Sequence, residues 1–234
     1  LEKYIAYLSD IPGEMEKLLD VVTIHITGFF RDQDVFASLT ERIVPAIVER
    51  KLSTKRESVR IWSAGCSTGE EAYSIAILFA EILRIKKADL RVEIFGTDIS
   101  EESCRVASKG VYPERRLRGV SQSRKRSHFD RDGECYRISA DIRRCVKFMV
   151  HDLFDSPPFS MLDLVICRNV LIHFNQKVRE DIISGFHSAL GENGILILGK
   201  SEALTGSSTA LFRLVDPRTK IYRKRSLGVH EGGK

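Results

Sequence analysis

The sequence predicts an α/β domain built on a mostly parallel sheet. Three observations carry that expectation. From residue 59 onward, short apolar runs alternate with amphipathic stretches, the mark of consecutive β-α-β units. The amphipathic stretches keep their apolar residues on one helical face, as helices packed on a sheet must. The final runs, "LFRLV" and "KIYRKR", are parted only by the turn residues "DPRT", which reads as an antiparallel hairpin closing the sheet.

Taken in order, residues 1 to 23 carry helical spacing broken at "DIPGE", with Tyr4, Ile5 and Leu8 before the break and Met15, Leu18, Leu19 and Val22 after it. Two short helices are expected there. A third helix is predicted in "DQDVFASLTERIVPAIVERKL", opened by Asp32 or Asp34 as N-cap and bent at Pro45. The strands are predicted in "VRIWSA", "RVEIFGTD", "CVKFMVHD", "LDLVICR" and "GILILGK". Between them, "GEEAYSIAILFAEILR" places Ala72, Ile75, Ala76, Phe79, Ile82 and Leu83 on one face. In "NQKVREDIISGFHSAL" the same holds for Val178, Ile182, Phe186 and Leu190. One block interrupts the alternation: residues 110 to 144 are denser in arginine than any other part of the chain, and "ECYRISADI" alternates like an exposed strand of a small subdomain. That block reads either as a solvated surface or as a docking face for an acidic protein or nucleic acid.

Composition narrows the function classes. With 234 residues and 43% hydrophobic content the chain can bury a sizeable core. A net charge of +5, from 37 basic and 32 acidic residues, is too modest to imply a nucleic-acid partner. The cysteines Cys66, Cys104, Cys135, Cys145 and Cys167 are odd in number and form no C-x-x-C pair. No histidine stands near them at ligand spacing, so reduced, mostly buried thiols of a cytoplasmic protein are expected, and no metal site. No apolar run approaches the roughly 20 residues of a membrane-spanning helix, and "LEKYIAYLSD" lacks the basic flank and apolar stretch of a signal peptide. The start at Leu1, inside a helical region, reads as that of a fragment.

The chemistry is concentrated in "RIWSAGCSTGEEAYS", where a strand runs into a glycine turn and a helix opens with Glu70 and Glu71. Such turns usually cradle phosphate, because free N–H groups and the helix dipole favour anions. Two glutamates would repel one. The turn also lacks the G-x-G-x-x-G spacing of a dinucleotide site and the lysine of a P-loop, which sets a nicotinamide-dependent oxidoreductase far down the order. A cofactor with a cationic amine and a sulfonium but no phosphate would welcome carboxylates there, and S-adenosylmethionine is such a molecule. Asp98, ending "IFGTD", can accept hydrogen bonds from both ribose hydroxyls. On the blander reading Glu70 and Glu71 only complement the helix dipole and Asp98 only caps "SEES".

Five segments then give a family resemblance: "TGFFRD", "IWSAGCSTGEEAYSIAI", "FGTDIS", "CRNVLIHF" and "GILILGKSE", in that order over nearly all of residues 1 to 225. The chain resembles the CheR family of chemotaxis receptor methyltransferases. The resemblance implies a Rossmann-like class I fold with a helical N-terminal domain and an inserted small β-subdomain. The expected organisation is a partial helical domain and linker at residues 1–31, a methyltransferase domain at 32–225 carrying an inserted basic β-subdomain at about 110–146, and a tail at 226–234. It implies methyl transfer from S-adenosylmethionine to glutamate side chains of the cytoplasmic domain of chemoreceptors, leaving methyl esters and S-adenosylhomocysteine.

In the family picture His25, Thr27 and Arg31 approach the cofactor from the linker, with Arg31 also at the reacting centre. Ala64, Gly65 and the Glu70, Glu71 pair line the methionine end, with the contacting glutamate left open. Asp98 holds the ribose, Asp152 and Leu153 flank the adenine, and Arg168 and Asn169 face the methionine portion. His25 stands where relatives often carry asparagine and His173 where many carry tyrosine. The implied catalytic residues are Arg31, which positions the substrate, and His173 as a hydrogen-bond donor or else a surface histidine. A glutamate carboxylate, with a reference pKa near ~4.3, is already ionised at neutral pH and needs no general base. Geometry alone can supply roughly 7 to 11 kcal/mol.

Two rival functions remain at this level. A nucleic-acid methyltransferase is suggested by the pI near 9.0 and by "SPPF" at 156 to 159, although that motif precedes the fourth strand instead of following it and so reads as a proline loop. The other is a non-catalytic module that binds cofactor or receptor.

Overall fold

The computed structural model describes residues 27–226. The two helices expected over residues 1 to 23, His25 and most of the C-terminal tail lie outside the described residues.

The chain enters through Phe29 and Phe30, both buried, and the Phe30 N–H donates to Ser74 Oγ at 3.0 Å. Helix α1 (Gln33–Ser38) passes through a wider π turn (Leu39–Ile43) into α2 (Val44–Ser53). The bend expected at Pro45 therefore takes the form of a π turn just before it, because a proline nitrogen has no hydrogen to give to the residue 41 carbonyl. Asp32 does occupy the N-cap position, but with φ 61° and no side-chain cap bond. Its carboxylate is drawn to Arg168 instead.

Among the described residues the central sheet has seven strands. Five run parallel: β1 (Ser58–Ala64), β2 (Arg91–Asp98), β6 (Val146–Val150), β7 (Leu162–Cys167) and β8 (Leu190–Leu198). The hairpin β9 (Phe212–Asp216) and β10 (Ile221–Lys224) adds antiparallel, giving the order β6-β2-β1-β7-β8-β10-β9. This is the predicted mostly parallel sheet closed by a hairpin. Helix α3 (Glu70–Lys86) follows β1, α4 (Glu101–Lys109) follows β2 and α7 (Gln176–Ala189) follows β7. Leu190, expected on the helix face, starts β8 and pairs with Leu162 before the register shifts.

Strand alternation splits the core in two. Val59, Ile61, Ile94, Leu164 and Ile166 pack with α2 and α3, while Trp62, Ala64, Val165 and Cys167 pack with Ile182, Ile183 and Phe186 of α7. Helix α3 exceeds its predicted stripe, since residues 72 to 79 are all buried. The linker and the inserted segment cover the face that the sheet does not. The expected loop "SPPF" is indeed a loop, and Phe159 stacks on Phe95 with ring centres 4.1 Å apart. At the opposite end of the sheet from the strands' C-termini, buried Asp163 accepts from Arg50 at 2.8 Å, from Lys51 at 2.7 Å and from the Arg60 N–H at 3.0 Å, fixing α2 to β7.

The arginine-rich insert forms its own three-stranded sheet, β3 (Val111–Pro113), β4 (Phe129–Asp132) and β5 (Cys135–Ile138), with α5 (Gln122–His128) before β4 and α6 (Ala140–Arg144) after β5. The strand expected to be exposed, β5, lies at the centre of the order β3-β5-β4 and buries Ile138. Phe29 packs edge-on against Tyr112 and Phe129 of this unit, with ring centres 5.0 and 5.3 Å away. Arg115, Arg118 and Arg126 are exposed, whereas Arg124 turns inward, pairing with Glu81 at 2.7 Å and lying over the Phe30 ring at 4.2 Å.

Partial burial raises the pKa of Glu81, yet the hydrogen bonds from His128 and Arg124 outweigh this and bring it from 4.5 to about 2. The stabilisation is complete above the unfolded value and is lost as pH falls through the folded one. Because the pair is partly exposed, its worth after solvent screening is about 1 kcal/mol. Glu81→Gln should therefore melt below wild type at neutral pH, with the gap closing between pH 4.5 and about 2 in thermal unfolding scans. A gap constant over that range would remove Glu81 from the acid response.

Candidate functional site

Strand β1 lies where the strand order reverses, between β2 and β7. In open α/β sheets the crevice at the C-terminal ends of such strands is where ligands bind. The turn after β1 is held in shape from several sides. Gly65 and Gly69 have φ of +70° and +92°, and a side-chain carbon on Gly65 would collide with Val170. At Gly69 it would come within 2.8 Å of Ala107 and 2.9 Å of Phe148. Only glycine fits either place. The Cys66 N–H donates to the Thr97 carbonyl at 2.8 Å and the Ser67 N–H to Asp98 Oδ2 at 2.7 Å, tying the turn to the end of β2. Burial pushes the Cys66 thiol well up, so it is no nucleophile.

Asp98 is buried and also accepts from the Ser100 N–H at 3.1 Å through Oδ1. It is not the helix cap, a place taken by Ser100, whose hydroxyl accepts from the Ser103 N–H at 3.1 Å; Asp98 braces the glycine turn instead, and each oxygen keeps a second lone pair for a ligand hydroxyl. Beside it Ile99 stands 67% exposed, an apolar surface next to the crevice. Its place directly after the acidic strand end is legible in the sequence.

The two glutamates point apart. Glu70 is fully enclosed, accepting from Thr68 Oγ1 at 2.7 Å and from Arg116 of the insert at 3.0 Å. Burial raises its pKa against the pull of Thr68 and Arg116. Glu71 turns toward the crevice, accepting from Ser63 Oγ at the end of β1 and from Arg168 at the end of β7, each at 3.0 Å.

Arg168 is a buried clamp. One guanidinium nitrogen meets Glu71, and another meets the Arg31 carbonyl at 3.2 Å and the Asp32 carboxylate. Its Nε–H is buried with no acceptor among the described residues. Phe30 and Asp32, on either side of Arg31, both have positive φ, so the linker bends sharply where it crosses the strand ends. Asn169 is also left-handed, with φ 61°, and its loop is gathered by buried Glu202. That carboxylate receives the N–H groups of Asn169, Val170, Leu171 and Gly199 at 3.1, 2.9, 2.7 and 2.5 Å. "GILILGKSE" contained Glu202 without revealing this task, because its donors lie mainly across the fold.

The remaining expected residues ring the same end of the sheet. Ala64 is buried at the end of β1, and Thr27 and Arg31 are half-buried in the linker. Asp152 and Leu153 follow β6, where the His151 N–H donates to the Asp98 carbonyl at 3.0 Å. Asp152 Oδ1 accepts from the Phe154 N–H at 3.0 Å, and Leu153 is half-buried. His173 closes a short 3-10 turn (Leu171–His173) and is exposed. Two carboxylates and an N–H donor with no acceptor among the described residues suit a ligand carrying a cation, a carboxylate and hydroxyls.

Comparison with known proteins gives a consistent answer. The family model described as "CheR methyltransferase, SAM binding domain" matches residues 25–221. A "Chemotaxis protein methyltransferase" of Borreliella burgdorferi is 33% identical over 210 residues, covering 88% of this chain and 74% of that protein. The "Chemotaxis protein methyltransferase 1" of Pseudomonas aeruginosa is 35% identical over 197 residues, covering 82% and 71%. An uncharacterized 104.1 kDa protein of Rhodobacter capsulatus is 34% identical over 223 residues, which are 95% of this chain but 23% of that one.

Proposed function

Because the chain belongs to the CheR methyltransferase family, we propose that its crevice binds S-adenosylmethionine with the residues described above and methylates glutamates in the cytoplasmic domain of chemoreceptors. The chain is an S-adenosylmethionine-dependent methyltransferase, and its substrates are chemoreceptors. The observation that carries the site reading is the pair of carboxylates beside the glycine turn, Glu71 in the first turn of α3 and Asp98 at the end of β2. We assign residues 32–225 to the methyltransferase domain, about 110–146 to its insert, and 1–31 to linker and partial helical domain. The protein would work in the cytoplasm. No helix among the described residues is long and apolar enough to cross a membrane.

The residues present fit the cofactor. Asp98 has lone pairs for the ribose hydroxyls, and Glu71 supplies negative charge for the amine. The Nε–H of Arg168, without an acceptor among the described residues, would satisfy a carboxylate. Ala64 and Gly65 would meet the methionine end from the turn, Thr27 and Asn169 would border it, and Asp152 and Leu153 would edge the adenine. When bound, the cofactor supplies a methyl group on a positively charged sulfur. The protein's own task is then to bring a glutamate carboxylate, ionised at neutral pH, in line with that methyl and strip it of water. Arg31 would orient the carboxylate through a charge-assisted hydrogen bond, held in place by the Arg168 grip on its own carbonyl. His173, exposed beside the Asn169 loop, would add a donor.

Arg31→Ala should lower kcat by roughly 100-fold, the scale set by losing alignment, while leaving cofactor Kd within about threefold. Steady-state rates with isothermal titration check this, and unchanged turnover takes Arg31 out of the mechanism. The activity itself is tested by incubating the protein with methyl-labelled cofactor and receptor fragments. Base-labile label on the receptor is the signature of a carboxyl ester. Base-stable label, or label on nucleic acid alone, overturns the assignment.

A further inference from the structure

The inserted sheet touches the glycine turn at two points. Tyr112 Oη donates to the Thr68 carbonyl at 2.7 Å, and Arg116 donates to Glu70 Oε1 at 3.0 Å. Thr68 Oγ1 completes the set by donating to Glu70 Oε2 at 2.7 Å. The turn is therefore strung between two supports, with Asp98 holding Ser67 on one side and the insert holding Thr68 and Glu70 on the other. Residues 67 to 70 cannot shift without breaking one of them.

We propose that Arg116 is a positioning residue for the methyl donor: by balancing the charge of Glu70 it fixes the 65–69 turn, so that cofactor affinity depends on the inserted sheet. This rests on the reading of the crevice as the S-adenosylmethionine site. The argument is an asymmetry of burial. Glu70 has no exposed surface, whereas the Arg116 side chain is 35% exposed. Removing the arginine strands a charge inside the protein, while removing the glutamate only returns an arginine toward water. Facing Glu70 are Arg116, the Thr68 hydroxyl and the nearby Tyr112 phenol, which burial first and Glu70 second keep protonated. Among the described residues Arg116 is the one cation paired with it. Without that cation the carboxylate must either take up a proton or turn outward, and both disturb the turn at Thr68.

The decisive measurement is calorimetric titration of S-adenosylhomocysteine into wild type, Arg116→Ala, Arg116→Lys, Glu70→Gln and the Glu70→Gln/Arg116→Ala double variant, across a neutral pH series. Arg116→Ala should bind about tenfold more weakly, within the span usual for coupled sites, and its Kd should vary with pH where the wild-type value does not. Lysine at the position, and the double variant whose neutral amide needs no cation, should each recover most of the affinity. A purely scaffolding arginine would show neither the pH dependence nor the rescue by a second substitution. If Arg116→Ala does not fold, Arg116→Gln, which keeps the volume and an N–H donor, carries the same comparison. The proposal is overturned if the single variant binds like wild type, or if the double variant stays as weak as Arg116→Ala, which would put Arg116 on the ligand directly. Wild type that binds no S-adenosylhomocysteine refutes the cofactor reading instead.

Discussion

Asp98→Ala should weaken cofactor binding by roughly 100- to 10,000-fold. Two effects add. Hydrogen bonds to a charged carboxylate contribute about 1.5–3 kcal/mol each, and two such bonds to a ribose amount to two to four decades of affinity. The substitution also deprives the N–H groups of Ser67 and Ser100 of their acceptor, so the turn itself loosens. Asparagine is not a mild alternative, because its amide would point N–H groups at one of those same donors. Titration calorimetry reads the loss, and circular dichroism separates it from unfolding. An Asp98→Ala protein that still binds S-adenosylhomocysteine within about fivefold of wild type would remove the ribose role.

The second large effect is expected at Arg168, where stability and activity should fall together. Its side chain is 3% exposed and holds the carboxylates of Glu71 and Asp32 together with the Arg31 carbonyl. Truncation to alanine leaves Glu71, itself little exposed, without its cation, a loss of about 3–5 kcal/mol for a buried pair. The urea midpoint should drop accordingly with its slope unchanged. Turnover should fall as well, since the Arg31 backbone loses its anchor. Lysine should fail nearly as badly, because one ammonium cannot reproduce a planar fork that reaches three acceptors on two chain segments. If Arg168→Ala unfolds at the wild-type midpoint and keeps its turnover, the clamp has no energetic weight.

Much of this fold was legible in the sequence, for a physical reason. Each parallel strand is a short apolar run and each helix a longer amphipathic one, so local periodicity is enough to order them. The glycine turn was legible too, since only glycine tolerates the angles at residues 65 and 69. What could not be read is which way adjacent side chains turn. Glu70 and Glu71 are one residue apart, yet one meets Arg116 of the insert and the other Arg168 just after β7. Successive helical positions differ by about 100°, and the partners that decide between them lie 46 and 97 residues away. Asp32 is the same lesson in reverse. Its type and position suit a cap, but a buried guanidinium 136 residues downstream competes more strongly for the carboxylate than a helix N–H does. Glu202 escaped notice because three of its four donors come from the loop after β7.

Phe30 sits at a junction of three parts of the chain: its N–H is held by α3 through Ser74, its ring lies against Phe36 at 5.2 Å, and Arg124 of the insert covers it at 4.2 Å. Phe29 is sheathed by Tyr112 and Phe129 in the same way. Excising residues 111 to 144 would thus not trim an ornament from a self-sufficient enzyme. It would strip the cover from two aromatic rings and leave a sticky, aggregation-prone remnant, so the insert shares the load of holding the catalytic body together.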